Sequence, residues 1–187
     1  MIRLKHLLNE ITDSDIGRCL TKIKNKQFKL IGAGDNGRVY EIDGEDKAFK
    51  ITKEMDEYDV ADIIVNKYSK FTTFIPVYYV NGQDMYIMAN AEELNGKQKV
   101  VISRFIVDYK NYAREQGGEV SIFEYLDAEG GRNHDVELVN FLRALQQDVQ
   151  RIGISDLDLD LDFKTDNIMI YNGKMVMVDW WLWNKIY

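Results

Sequence analysis

The densest chemistry in the chain lies near its end, where Asp162, Lys164 and Asn167 share one short segment and Asp179 follows twelve residues after the asparagine. The D-x-K-x-x-N spacing sets a carboxylate, an ammonium and an amide on a loop between a long helix and a strand. Such a loop can accept a proton, neutralise an anion and help to hold a cation. Asp179 closes the apolar run Val176-Met177-Val178. A carboxylate at the end of a buried strand needs a compensating partner, and metal coordination supplies one. Upstream, Asp156, Asp158 and Asp160 alternate with leucines, which reads equally as a one-face-polar strand, a solvated loop or a calcium site. No glycine stands where an EF-hand loop requires it. Asp158 competes with Asp162 for the proton-accepting position, but only Asp162 has an asparagine five residues on.

A second constellation lies near the start. Gly32, Gly34 and Gly37 have G-x-G-x-x-G spacing, with Asn36 inside the run and Val39 two residues after it. The segment lies between two expected strands, unlike a dinucleotide fingerprint, which joins a strand to a helix. A hairpin without Cβ atoms can close over a triphosphate and offer backbone N–H groups to its oxygens. The competing reading is that Asn36-Gly37 is an ordinary hairpin turn. Lys50 follows in the apolar triplet Ala48-Phe49-Lys50, where an unpaired charge is costly, so it requires an acid. Glu57 falls on the same helical arc as Val60, Ile64 and Phe71, facing a core, whereas Asp62 points away. Asp56 is the alternative partner, and either acid also suits a helix N-terminus.

These residues need elements to position them. Helical spacing covers 2–24, with Thr12-Asp13-Ser14 able to cap a second helix, and strands are expected at 28–31, 38–42 and 47–51. A helix at 54–71 precedes strands at 77–80 and 85–88, joined through Asn81-Gly82. Residues 90–96 read as a polar link, 98–115 as a helix, and 117–133 as loop-rich because of two Gly-Gly pairs. Residues 135–152 carry Leu138, Phe141, Leu142, Leu145, Val149 and Ile152 on one helical face, and 167–171 and 175–178 form a hairpin through Asn172-Gly173.

Composition bounds the rest. At 187 residues and 45% hydrophobic, the chain has enough apolar surface for one core or two small lobes. A net charge of −7 without a long basic block argues against direct nucleic-acid or membrane-surface binding. The single cysteine, Cys19, has no disulfide partner and reads as a small buried hydrophobe. The polar opening 1–6 and the lack of a long apolar run point to a cytoplasmic protein. His6 and His134 are too distant in sequence to suggest a metal site or a Ser-His-Asp triad. Trp180, Trp181 and Trp183 read either as an interface or as a cap on the core.

In this order, the pieces resemble the protein-kinase family over about residues 27–183. Gly32–Val39 looks like its glycine-rich loop, Ala48-Phe49-Lys50 like its third-strand lysine motif, 162–167 like its catalytic loop and Asp179 like its metal-binding aspartate. The stretch 162–179 is also similar to the early protein kinases of lytic tailed bacteriophages. The resemblance implies a two-lobed α+β fold. It comprises a helical leader (1–26), an N-lobe (27–90) built on a five-stranded antiparallel sheet, and a truncated, mainly helical C-lobe (91–187). ATP and Mg2+ are the implied cofactors, with adenine received at the link after Met88. Asp162 would accept the substrate hydroxyl proton, Lys164 would neutralise the γ-phosphate, Lys50 with Glu57 would anchor phosphate, and Asn167 and Asp179 would hold magnesium.

A lysine two residues after the aspartate is typical of the Ser/Thr members of that family, so the resemblance implies a Ser/Thr protein kinase acting on protein substrates, host proteins among them if a phage encodes the chain. A small-molecule phosphotransferase and a kinase-shaped inhibitory binding protein are the alternatives. The chain departs from the family at Asp160 and Leu161, which replace a histidine and an arginine, and at Asp179-Trp180-Trp181, which replaces Asp-Phe-Gly. No Ala-Pro-Glu motif follows, so acceptor recognition is expected from the segment 97–133 or an exposed tryptophan. The composition leaves oligomeric state open.

Overall fold

The computed structural model describes residues 13–67, 71–118, 120–129, 134–152, 159–160 and 163–182. The expected helix before residue 12, the 130–133 loop, Asp156, Asp158, Asp162 and Trp183 lie outside the described residues. Helix α1 (Asp13–Lys24) leads into β1 (Phe28–Ala33), β2 (Gly37–Ile42) and β3 (Lys47–Thr52), then α2 (Met55–Lys67), β4 (Val77–Val80) and β5 (Met85–Ala89). The strands form one antiparallel sheet in the order β1-β2-β3-β5-β4, which is the five-stranded first half expected from the sequence.

Strand alternation divides β3 between two environments. Phe49 stacks on Tyr40 at 4.8 Å and meets Phe28 edge-on at 5.1 Å. Together with Cys19, Ile42 and Ile87 it forms a small core beneath α1. Ala48, Lys50 and Thr52 point the other way, toward α2, where Ala48 joins the main core beside Val60, Ala61 and Ile64. Helix α1 is fastened by charge as well. Glu45, in the β2–β3 turn, accepts from Arg18 Nε at 2.8 Å and Nη2 at 2.9 Å, and pairs with Lys22 Nζ at 2.7 Å.

The second half is mainly helical: α3 (Gly96–Glu115), α4 (Ile122–Glu129) and α5 (Val136–Ile152), with β6 (Glu92–Glu93) before them. After them come β7 (Leu159–Asp160), a 3-10 turn (Thr165–Asn167), β8 (Ile168–Tyr171), β9 (Lys174–Met177) and β10 (Trp181–Leu182). The apolar face read on α5 is buried at all six positions.

Two expectations are corrected. Residues 117–133 are not wholly loop, because Ile122–Glu129 is helical and begins with a capping box. Ser121 Oγ accepts from Glu124 N at 3.1 Å, and Glu124 Oε2 accepts from Ser121 N at 2.7 Å. The flanking glycines obscured this signature. The link 90–96 contains β6, which pairs with β8 and so stitches the connection to the second half.

One buried carboxylate joins the halves. Asp148 on α5 is 1% exposed and accepts from Thr72 N at 2.7 Å, Thr73 N at 3.0 Å and Thr73 Oγ1 at 2.9 Å. It also pairs with Arg151 at 2.9 Å. The Phe71–Phe74 stretch therefore leaves α2 already anchored on α5. It then runs alongside β9, where Met177 N donates to Thr73 O at 2.7 Å and Ile75 N donates to Met177 O at 2.9 Å. The main core is continuous across both halves.

Hydrogen bonds from Arg18 and Lys22 hold the Glu45 carboxyl down at about 2. A depressed folded-state value contributes stability that is present above the ordinary carboxylate range and is lost as pH falls toward 2. Urea unfolding between pH 7 and pH 3 should show wild type losing more stability than Glu45→Gln. Parallel pH profiles for the two would contradict the α1 clamp.

Candidate active site

Between the sheet and the second half lies a cleft of about 670 Å³. Its roof is the β1–β2 hairpin with Gly32, Gly34, Asn36, Gly37 and Val39. Lys50 and Met88 form the back, and Lys164, Asn167 and Asp179 the floor. The structure thus brings together ten of the residues singled out from sequence. Glu57 sits directly behind them against Lys50, and Asp162 and the side chain of Asp56 lie outside the described residues.

The centre of the site is a buried ammonium between two carboxylates. Lys50 Nζ is 2.5 Å from Glu57 Oε1 and 3.1 Å from Asp179 Oδ1. Lys50 is 5% exposed and Glu57 2%, whereas the Asp179 side chain is 37% exposed and opens on the cleft. Strand β3 supplies Lys50, the inward face of α2 supplies Glu57, and the exit from β9 supplies Asp179. A buried ion pair is retained only where its geometry and additional hydrogen bonds offset desolvation. Glu57 has those bonds: Tyr86 OH donates to Oε1 at 2.5 Å and Thr52 Oγ1 donates to Oε2 at 2.8 Å. Burial, and then the charge of Glu57, push the Tyr86 hydroxyl well above its ordinary value, so it stays protonated and donates.

Trp180, the residue after Asp179, is 1% exposed and belongs to the core, which resolves its reading against an interface. It stands edge-on to Phe74 at 5.7 Å and nearly parallel to Tyr86 at 6.3 Å, and its indole Nε1 donates to the Glu57 carbonyl at 3.0 Å. Tyr86 and Thr52 were not singled out from the sequence, and Trp180 was read there as an interface or a core cap rather than as a partner of Glu57. Thr52 and Tyr86 share the inward-facing alternation of Lys50, but their meeting depends on the pairing Lys50↔Tyr86, which the sequence does not reveal.

The hairpin separates two roles for glycine. A type I′ turn at Asn36-Gly37 would need positive φ at both residues, and neither has it. The turn is instead 34–36, closed by Gly34 N donating to Gly37 O at 3.0 Å and pinned where Lys53 N donates to Asn36 O at 2.8 Å. Gly37 is required by the fold, since a Cβ there would lie 2.5 Å from the Ile51 carbonyl. A Cβ on Gly34 would meet no protein atom within 4 Å. The open approach at Gly34 lies over the cleft and leaves room for an occupant close to the backbone.

At the rim, Lys99 on α3 pairs with Glu93 on β6 at 2.9 Å and holds that carboxyl below its ordinary range. Both residues line the cleft, and neither was expected there. Asp35 and Asp166 line it as well, so four carboxylates (35, 93, 166, 179) face three ammonium groups (50, 99, 164). A polyphosphate entering this lining is matched only if cations accompany it. Among the described residues no group of three His, Cys, Asp or Glu forms a metal cluster. Asp179 with the Asn167 amide fits a hard cation that takes its remaining ligands from phosphate and water.

Away from the cleft, His134 Nε2 is hydrogen-bonded to Tyr125 OH at 2.8 Å, and Cys19 is fully buried on the inner face of α1. Among the described residues no helix is long and apolar enough to cross a membrane.

No protein-family model matches the chain, and no curated protein matches it. Among solved structures, the streptomycin–ATP–APH(2″)-IIa ternary complex is similar over 90% of this chain and 70% of its own, at 13% identity and a TM-score of 0.37.

Gly37→Ala should cost about 1–3 kcal/mol of stability through the clash with the Ile51 carbonyl, while Gly34→Ala changes it by less than about 0.5 kcal/mol. Denaturant midpoints of the two variants check this. Equal destabilisation would remove the distinction between a glycine the fold requires and one the cleft requires.

Proposed function

We propose that the chain is an ATP-dependent phosphotransferase of the kinase-like kind, moving the γ-phosphate to a hydroxyl. The observation that carries this reading is the buried Lys50 held by Glu57 and Asp179 beneath a glycine hairpin with open space over Gly34. Val39, Met88, Leu94 and Met169 give the cleft apolar walls suited to a purine between the two halves. Gly34 and its neighbours offer backbone N–H groups to phosphate oxygens, and Lys50 donates to those nearest the back wall.

Asn167 and Asp179 would hold magnesium, which would supply positive charge to neutralise the phosphates. Lys164, exposed on the floor, meets the transferring phosphoryl group with positive charge. Asp162 accepts the proton of the acceptor hydroxyl in this reading.

For the acceptor, we take a Ser or Thr of a protein, on the resemblance of the D-x-K-x-x-N segment, with Lys164 two residues after Asp162, to Ser/Thr protein kinases. The likeness to early phage kinases makes bacterial host proteins the first substrates to try. A small-molecule hydroxyl is the second reading, favoured by the carboxylates Asp35, Glu93 and Asp166 around the cleft, which suit a compact cationic acceptor.

Incubation with labelled ATP and magnesium should label protein in a bacterial lysate, and Asp179→Asn should lower the rate by about a hundred- to a thousandfold while leaving the chain folded. A folded wild type that labels neither protein nor a panel of aminated small molecules would overturn the phosphotransferase reading. Gly34→Ala should weaken ATP binding without loss of fold, and magnesium should strengthen binding to wild type but not to Asp179→Asn.

A further inference from the structure

Glu57 has more partners than an ion pair requires. Its Oε1 receives Lys50 and Tyr86, each at 2.5 Å, its Oε2 receives Thr52 at 2.8 Å, and its backbone carbonyl receives the Trp180 indole at 3.0 Å. These partners come from three places: Lys50 and Thr52 from β3, Tyr86 from β5 and Trp180 from the segment after Asp179. Tyr86 is wholly buried and Thr52 is 4% exposed, so each hydroxyl sits where losing its acceptor would be costly. Helix α2 therefore cannot move away from β3 without breaking the ion pair, leaving the buried Tyr86 hydroxyl and an indole N–H without acceptors and Thr52 Oγ1 with only the Asn36 and Glu54 carbonyls, each at 3.4 Å.

We propose that Tyr86 and Thr52, backed by Trp180, are positioning residues that hold Glu57 on Lys50 whether or not nucleotide is present. On this account the phosphate-facing lysine is assembled permanently and the site needs no activating step. The inference rests on the phosphotransfer reading for its catalytic consequence, but the geometry it concerns is a property of the chain alone.

The test is hydrogen exchange in α2 (Met55–Lys67), with and without a non-hydrolysable ATP analogue and magnesium, combined with kcat and ATP KM. In wild type the α2 amides should be equally protected in both states. Tyr86→Phe and Thr52→Val should each lose protection without nucleotide and recover it with nucleotide. Each should lower kcat by about tenfold or more through lost preorganisation, with ATP KM changed by less than about threefold.

Tyr58→Phe is the control. It removes another hydroxyl of α2, which accepts from Gly82 N at 2.5 Å and makes no bond to Glu57, and should lower stability while leaving kcat unchanged. Wild-type α2 that becomes protected only on adding nucleotide, or a Tyr86→Phe variant that exchanges and turns over like wild type, would overturn the proposal. A wild type with no phosphotransfer would count against the proposed function instead, and the nucleotide-free comparison of wild type with Tyr86→Phe then decides the clamp on its own.

Discussion

The structure depends on one constraint: an ammonium group placed on an interior strand must be met by a carboxylate of equal burial. Lys50 is 5% exposed and Glu57 2%, and removing one partner from such a pair costs about 3–5 kcal/mol because the other charge is left stranded. The chain uses β3 to deliver the cation and the first turn of α2 to deliver the anion. The sheet order then brings β5 beside β3 so that Tyr86 can reach the same carboxylate. What would otherwise be a local liability fixes the angle of α2 against the sheet.

The second carboxylate at Lys50 arrives from the other half of the molecule, and its path is set before it reaches the cleft. Asp148 anchors the Phe71–Phe74 stretch on α5, that stretch pairs with Met177, and β9 ends two residues before Asp179. Trp180 then enters the core and fastens to the Glu57 carbonyl. The floor and the back wall of the cleft are therefore parts of one continuous packing arrangement, so a substitution at Asp148 acts on the site through the placement of β9.

Most of this was legible where a residue's surroundings are set by its neighbours in the chain. The glycine spacing, the apolar flanks of Lys50, the helical arc carrying Glu57 and the acid ending an apolar strand each state their requirement locally, and the structure gathers them on one cleft. The Asn172-Gly173 hairpin was equally readable, since positive φ at both residues, 50° and 74°, is what that pair favours.

What the sequence did not show depends on contacts between distant segments. Tyr86 and Thr52 look like ordinary strand residues until the strand pairing is known, and Trp180 has no local feature that separates a core indole from an exposed one. Helix α4 was missed because flanking glycines outweighed a four-residue capping signature. Short β6 was missed because its pairing, not its composition of two glutamates, makes it a strand.

The most direct test of the account is chemical. An acyl-phosphate derivative of ATP acylates a lysine that lies against its phosphates, and mass spectrometry of the digested protein identifies which of the lysines has reacted. The account predicts modification at Lys50, suppressed by excess ATP with magnesium, even though Lys50 is among the least exposed lysines described. Reaction spread over surface lysines and insensitive to ATP, with Lys50 unmodified in a folded sample, would contradict it.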